Sequence, residues 1–287
     1  MFDWEDLRHF SVFAQEGSLS GAARRLKVDH ATVARRISAL EAALCLKLVD
    51  RRPRAYLLTG EGERVAALGA RMEQESFAVE RTAAAGQTGV SGDVTISAPP
   101  SMAAAVIAPQ LGRLREQHPA LRICLTGTTH MASLSRREAD LAVRLTRPSE
   151  GDLVVRKLGV VVFSLYSSAS YLSATTPSDY GFIAYDDSME GSPQQNWLKQ
   201  QAGTRPIVMV SNELEIQAAA ARAGVGIAAL PYFLGDRDDG LQRVRSKGKR
   251  FEREIWLAVH ADIRRAPRIQ AVMQFLGSCF TENASLA

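Results

Sequence analysis

The chain has 287 residues and a net charge of +4, with 46% hydrophobic and 23% charged residues; this is a globular balance that excludes wholesale disorder and leaves room for two domains. No apolar run approaches the roughly 18 residues that span a bilayer, and the acidic start Met1-Phe2-Asp3-Trp4-Glu5-Asp6 is not expected to direct export. Cys45, Cys124 and Cys279 are too few and too scattered for a disulfide scaffold or a paired-cysteine metal knuckle, and point to a reducing compartment.

Taken in chain order, Trp4, Leu7, Phe10, Phe13 and Ala14 recur at helical spacing, and Gly17 ends that helix. Ser18 is the expected cap of a second helix carrying Ala22, Ala23 and Leu26. After the turn Lys27-Val28-Asp29, Asp29 is the expected cap of a third helix running to about Leu44. Two short helices joined by a tight turn, with alanines where they must approach closely, read as helix-turn-helix.

Wound at about 100° per residue, the third helix carries Val33, Ile37, Leu40 and Leu44 on one stripe. Ala31, Arg35 and Ser38 fall opposite, Thr32 and Ala39 flank them, and His30 and Arg36 lie on the shoulders. Between Ser20 and Thr59 nine basic residues stand against three acids, the electrostatic footprint of a nucleic-acid module. A small-residue face around one arginine fits a major groove, where arginine reads guanine O6 and N7. The competing reading is a solvated arginine on an amphipathic helix.

Two short apolar strands then flank a basic turn at Pro53, a wing that would place Arg51, Arg52 and Arg54 near phosphates or the minor groove. From Thr59 a long helix is expected to reach about Ala85, with Thr59 as its cap and Glu61 and Glu63 at its positive end. Val65, Leu68, Met72 and Val79 sit near a and d of a heptad, which suits pairing with another chain; packing on its own domain is the alternative. Gly86 to Gly92 reads as a linker.

Beyond Gly92, short apolar strands alternate with helices. Strands are expected at Val94–Ala98, Leu121–Leu125, Leu141–Val143, Val160–Tyr166, Phe182–Tyr185, Ile207–Val210, Ile227–Leu230 and Glu254–Val259. Helices are expected at Met102–Gln117, Met131–Arg137, Pro193–Gln201, Glu213–Arg222 and Arg268–Phe280. The alternation predicts a parallel α/β sheet, with length enough for two lobes joined by crossing strands. Three strand ends carry hydroxyls or an amide at a helix start: Pro100-Ser101-Met102, Thr128-Thr129 and Ser211-Asn212. Such turns suit an anion, although each alone is commonly a helix cap. No GxSxG, P-loop or HExxH occurs, and the five histidines lack ligand spacing. No cofactor or metal is expected, and Cys124, inside an apolar strand, reads as a core residue.

The stretch Leu7–Glu63 closely resembles the LysR-type transcriptional regulators. The residues that carry the resemblance are Phe10, Gly17-Ser18-Leu19, Ala22-Ala23, Val28-Asp29-His30-Ala31-Thr32-Val33, Arg36-Ile37, Leu40-Glu41, Leu48, Arg51 and Leu58-Thr59. Asp140-Leu141-Ala142-Val143, Ala223-Gly224-Val225-Gly226-Ile227 and Leu230-Pro231 extend it more loosely along the chain. The resemblance implies a winged helix-turn-helix DNA-binding domain (1–59), a linker dimerisation helix and hinge (60–91), and a two-lobed α/β effector domain like a periplasmic binding protein (92–287). It implies a cytoplasmic regulator, homodimeric or homotetrameric, on a pseudo-palindromic double-stranded operator. A small effector, frequently an anion, would bind between the lobes and alter DNA bending or contact with RNA polymerase; no membrane partner is implied.

By position, His30, Ala31 and Arg35 match the base-contacting face and Arg51 the wing arginine. Pro100, Ser101, Met102, Thr128, Thr129, Ser211 and Asn212 match the effector cleft. Arg144 is a candidate counter-charge for an acidic effector, or else half of an inter-lobe salt bridge. The sequence departs from the family at His30, where glutamine is common, and at Cys45 and Arg137, which replace usual glycines. If Cys45 is left-handed, the missing glycine costs on the order of 1 kcal/mol. A solute-binding receptor and an α/β enzyme are the rival readings.

Overall fold

The computed structural model describes residues 1–52, 55–85, 89–128, 134, 138–149, 152–246, 248 and 250–281. Two compact units divide the chain, Met1–Arg81 and Thr82–Ala287.

In the first unit, α1 (Trp4–Glu16) starts where Asp3 accepts the Glu5 amide and ends at Gly17, whose φ of 66° is left-handed. Ser18 caps α2 (Leu19–Leu26) and Asp29 caps α3 (His30–Leu44) through the Thr32 amide. Between α2 and α3, Lys27 takes a φ of 55°, a conformation that glycine holds more cheaply. Strands β1 (Val49–Arg52) and β2 (Ala55–Leu58) pair as an antiparallel wing, and α4 (Gly60–Ala85) follows. One core joins these elements: Leu7, Phe10 and Phe13 meet Ala22, Ala23, Val33, Ile37 and Leu40, with Leu48 and Val49 from the wing. Val33, Ile37 and Leu40 are buried almost completely, each worth about 1.5–3 kcal/mol of apolar transfer.

Helix α4 departs from its expected seam. Val65 packs into the core just described, while Leu68, Met72 and Val79 are exposed. Glycine permits the close approach of α4 to its own unit: a Cβ on Gly69 would strike Ser11 Oγ, and one on Gly62 would strike the Leu48 carbonyl.

The second unit is built on a nine-stranded mixed sheet. Strand β3 (Gly92–Ala98) runs parallel to β4 (Leu121–Gly127) and to β5 (Leu141–Arg144). Asp140 sets β5 in place: its carboxylate accepts the Thr95 amide while its own amide donates to the Thr95 carbonyl. The helical run after β3 is not the continuous helix expected. It divides into α5 (Pro100–Met102), a π turn (Ala103–Ile107), a 3₁₀ turn (Ala108–Gln110) and α6 (Leu111–Gln117). Pro109 has no N–H to donate and its ring crowds the preceding turn, so a regular α ladder cannot run through it.

Long strands β6 (Leu153–Ser167) and β11 (Phe251–His260) pair antiparallel and carry the sheet from one lobe to the other, skipping Leu158 at a register shift. One half of β11 also pairs with β5, and the far half of β6 pairs with β9. Between them in sequence come α7 (Ala169–Ala174), β7 (Phe182–Ala184), α8 (Pro193–Ala202), β8 (Ile207–Val210), α9 (Leu214–Arg222), β9 (Ile227–Pro231), α10 (Tyr232–Gly235) and β10 (Gln242–Val244). Strand β7 is parallel to both β8 and β9. Gly224, at φ 80°, turns the chain out of α9 toward β9. Helix α11 (Pro267–Thr281) closes the unit. Each lobe therefore has three parallel strands, and the antiparallel pairings lie at and beside the crossing strands.

Cys124 is not a core residue. Strand β4 is an edge strand with alternating burial, and Cys124 falls on its exposed side. Strand side chains alternate between faces whatever their neighbours, so Cys124 points away from flanking Ile123 and Leu125. Strand β10 was not expected; it is three residues with no apolar alternation. Of the helix expected over Met131–Arg137, only Leu134 lies within the described residues, in a turn.

Candidate functional site

The exposed side of α3 begins at His30 and Ala31 and continues through Arg35. Among the described residues Arg35 makes no hydrogen bond or ion pair, so its guanidinium keeps all its donors for an external acceptor. Thr32 is partly withdrawn: its hydroxyl donates to Asp29 at 2.9 Å and its amide to the same carboxylate at 2.6 Å. These bonds hold the Asp29 carboxyl below its ordinary pKa.

Arg36, expected at the DNA, is engaged within its own unit. Its guanidinium bonds Asp6 at 3.0 Å and lies 3.5 Å from Asp3, tying α3 to α1. A shoulder position on the helical wheel does not reveal that a neighbouring helix presents two carboxylates there.

In the wing, Arg51 donates to Ser38 Oγ at 2.7 Å and to Glu41 at 3.1 Å. Glu41 is buried and uses its other oxygen to accept the amides of Leu48 and Val49 at 2.9 and 3.1 Å. One carboxylate thus fastens the end of α3 to the start of β1 and orients the wing arginine. Arg52 pairs with Asp50 at 2.9 Å with both side chains largely exposed, a link worth little in water. Arg54 lies outside the described residues.

In the second unit a cavity of about 420 Å³ opens at the carboxyl ends of the parallel strands. Pro100, Ser101, Met102, Thr128, Arg144 and Asn212 line it, so residues from four separate strand ends converge there. Ser211 is not in the lining; its hydroxyl accepts the Glu213 amide and serves the local turn. Thr129 lies outside the described residues. Ser101 is only 5% exposed, and its hydroxyl has no hydrogen-bond partner among the described residues.

Arg144 is buried, and its guanidinium bonds the Ser97 and Val143 carbonyls and Ser97 Oγ. Arg253 lines the same cavity and donates to the Leu145 carbonyl and Thr146 Oγ1. Both arginines meet only neutral oxygens among the described residues, which removes the salt-bridge alternative for Arg144. Burial lowers the pKa of each, because desolvation disfavours the charged form. Val161, Phe163 and Phe233 form an apolar wall. Tyr185 and Gln194 share a hydrogen bond beside it, and burial drives the tyrosine pKa strongly upward. Among the described residues no group of three or more His, Cys, Asp or Glu side chains could hold a metal ion.

Glu41, Arg253, Tyr185 and Gln194 were not singled out from sequence. Glu41 carried a signal, as the acid beside Leu40 in the matching motif; Arg253 carried none, lying in a charged stretch of a strand.

Residues 4–63 match the family described as bacterial regulatory helix-turn-helix protein, lysR family, and residues 87–280 match the LysR substrate binding domain. The Mau operon transcriptional activator of Paracoccus denitrificans is 27% identical over 289 residues, 98% of this chain and 97% of that protein. The AhcY transcriptional activator HvrB of Rhodobacter capsulatus is 30% identical over 77% of each chain. Among solved structures, CrgA from Neisseria meningitidis shares the fold at a TM-score of 0.57 and 23% identity, covering 97% of this chain and 99% of that one. Full-length AphB of Vibrio cholerae does so at 0.59 and 21%, covering 96% and 98%. No helix among the described residues is long and apolar enough to cross a membrane. With both family matches in order along the chain and full-length relatives that are transcriptional activators, this chain belongs to the LysR family of transcriptional regulators.

Proposed function

We propose that α3 enters the major groove with His30, Ala31 and Arg35 toward base edges, while Arg51 and Arg52 meet phosphates from the wing. The observation that carries this reading is Arg35, exposed and, among the described residues, unengaged, opposite the buried stripe of Val33, Ile37 and Leu40. Two copies paired through α4 would set two such helices about 34 Å apart on a pseudo-palindromic operator. A small effector carrying a carboxylate, bound at Ser101, Arg144 and Arg253, biases lobe closure and so changes DNA binding, bending or polymerase contact. The coupling it needs is about 1–3 kcal/mol.

Fluorescence anisotropy on an operator fragment tests the groove contact. Arg35→Ala weakens specific binding by about 1–3 kcal/mol and relaxes base preference at one position, whereas removing a phosphate contact lowers affinity evenly and reduces the salt slope by about 1. Wild-type affinity in Arg35→Ala would reject the assignment.

A further inference from the structure

The charges around the cavity specify more than an anion, provided the effector reading of that cavity holds. Arg144 ends β5 and bonds Ser97 of β3 and the Val143 carbonyl, while Arg253, on the crossing strand β11, bonds Leu145 and Thr146 just after β5. Glu213 lines the same cavity from the opposite half of the sheet, between β8 and α9. Its side chain caps no helix and pairs with no cation among the described residues. Burial and the nearby Glu215 raise its pKa, as expected for a carboxylate drawn from water without a counter-charge. Tyr185, in the same lining, feels both charges: Arg253 favours its ionisation and Glu213 opposes it. Arg253 donates to Leu145 and Thr146 and forms no ion pair with Glu213 among the described residues.

Among the described residues the cavity thus holds the unpaired positive charge of Arg144 and Arg253, with Arg147 also in its lining, and on the other half of the sheet the unpaired carboxylate of Glu213, with Val161, Phe163 and Phe233 along the side. A simple acid would leave Glu213 unmatched, and a dicarboxylate would place like charge against it. We infer that the effector is a zwitterion, its carboxylate on the Arg144 and Arg253 side, its ammonium at Glu213, and an apolar stem of several bonds between. Such a ligand bonds both lobes at once, so its binding energy favours the closed arrangement.

Isothermal titration of the full-length protein at pH 7 with three five-carbon probes tests this: 5-aminopentanoate, pentanoate and glutarate. The amino acid binds about tenfold or more tightly than pentanoate, the difference a charge-assisted contact supplies, and glutarate binds weakest. In Glu213→Gln, nearly the same size and checked for folding by its melting curve, the first two probes bind within about twofold of each other. Pentanoate or glutarate equalling the amino acid, or a preference that survives Glu213→Gln, overturns the inference. If either acid binds instead and Arg253→Gln abolishes that binding, the anion site stands and the zwitterion falls. If none of the three binds, the zwitterion and the effector reading of this cavity fall together.

Discussion

Cys45 ends α3 with a φ of 53°, the left-handed geometry in which a side chain crowds the following carbonyl. The sequence comparison with the family made this residue conspicuous, and the backbone supplies the physical reason. Cys45→Gly removes the clash at the cost of extra freedom in the unfolded chain; the net expectation is a gain of about 0.5–1 kcal/mol. Chemical denaturation should show a higher midpoint with an unchanged slope. No gain would mean that the helix end absorbs the strain elsewhere. Arg36 shows the opposite limit of single-residue reading: its charge suggested DNA, and nothing local revealed the partner thirty positions earlier.

Between elements, the wing depends on Glu41 more than on its own four-residue strands. A two-stranded ribbon is marginal by itself, and here its entry is held by two amides donating to one buried carboxylate. Glu41→Ala leaves those amides and Arg51 without their acceptor and should destabilise the first unit by about 1–3 kcal/mol. Hydrogen exchange at Leu48 and Val49 should rise well before that of the α1 and α3 core. Uniform exchange across the unit would show instead that the wing and helices unfold together. The α-helical boundaries of this unit were legible because their causes are local: Ser18, Asp29 and Gly17 act on amides or dihedrals within three residues. The break in the helix before α6 has an equally local cause in Pro109, though helical periodicity alone concealed it.

For the molecule as a whole, α4 leaves Leu68, Met72 and Val79 exposed as an apolar strip. If α4 pairs two copies as proposed, Leu68→Asp combined with Met72→Asp should convert the dimer to monomers at micromolar concentration in sedimentation velocity, with the helical circular dichroism of the monomer retained. A dimer that persists would place the principal contact elsewhere. Val65 belonged to the same heptad pattern yet faces the chain's own core; periodicity ranks positions around a helix but does not say which neighbour each will meet. What the sequence by itself determined about this protein is the helices and wing of its first unit, most strands of its second, its basic N-terminal module and its family, since caps, turns and hydrophobic period act over a few residues. Only the tertiary structure decided that Arg253 joins Arg144 and Glu213 around one cavity, that Ser211 stays outside it, and that Cys124 faces outward. Those outcomes depend on which strand ends and faces the sheet order brings together, and that order is a property of long-range pairing.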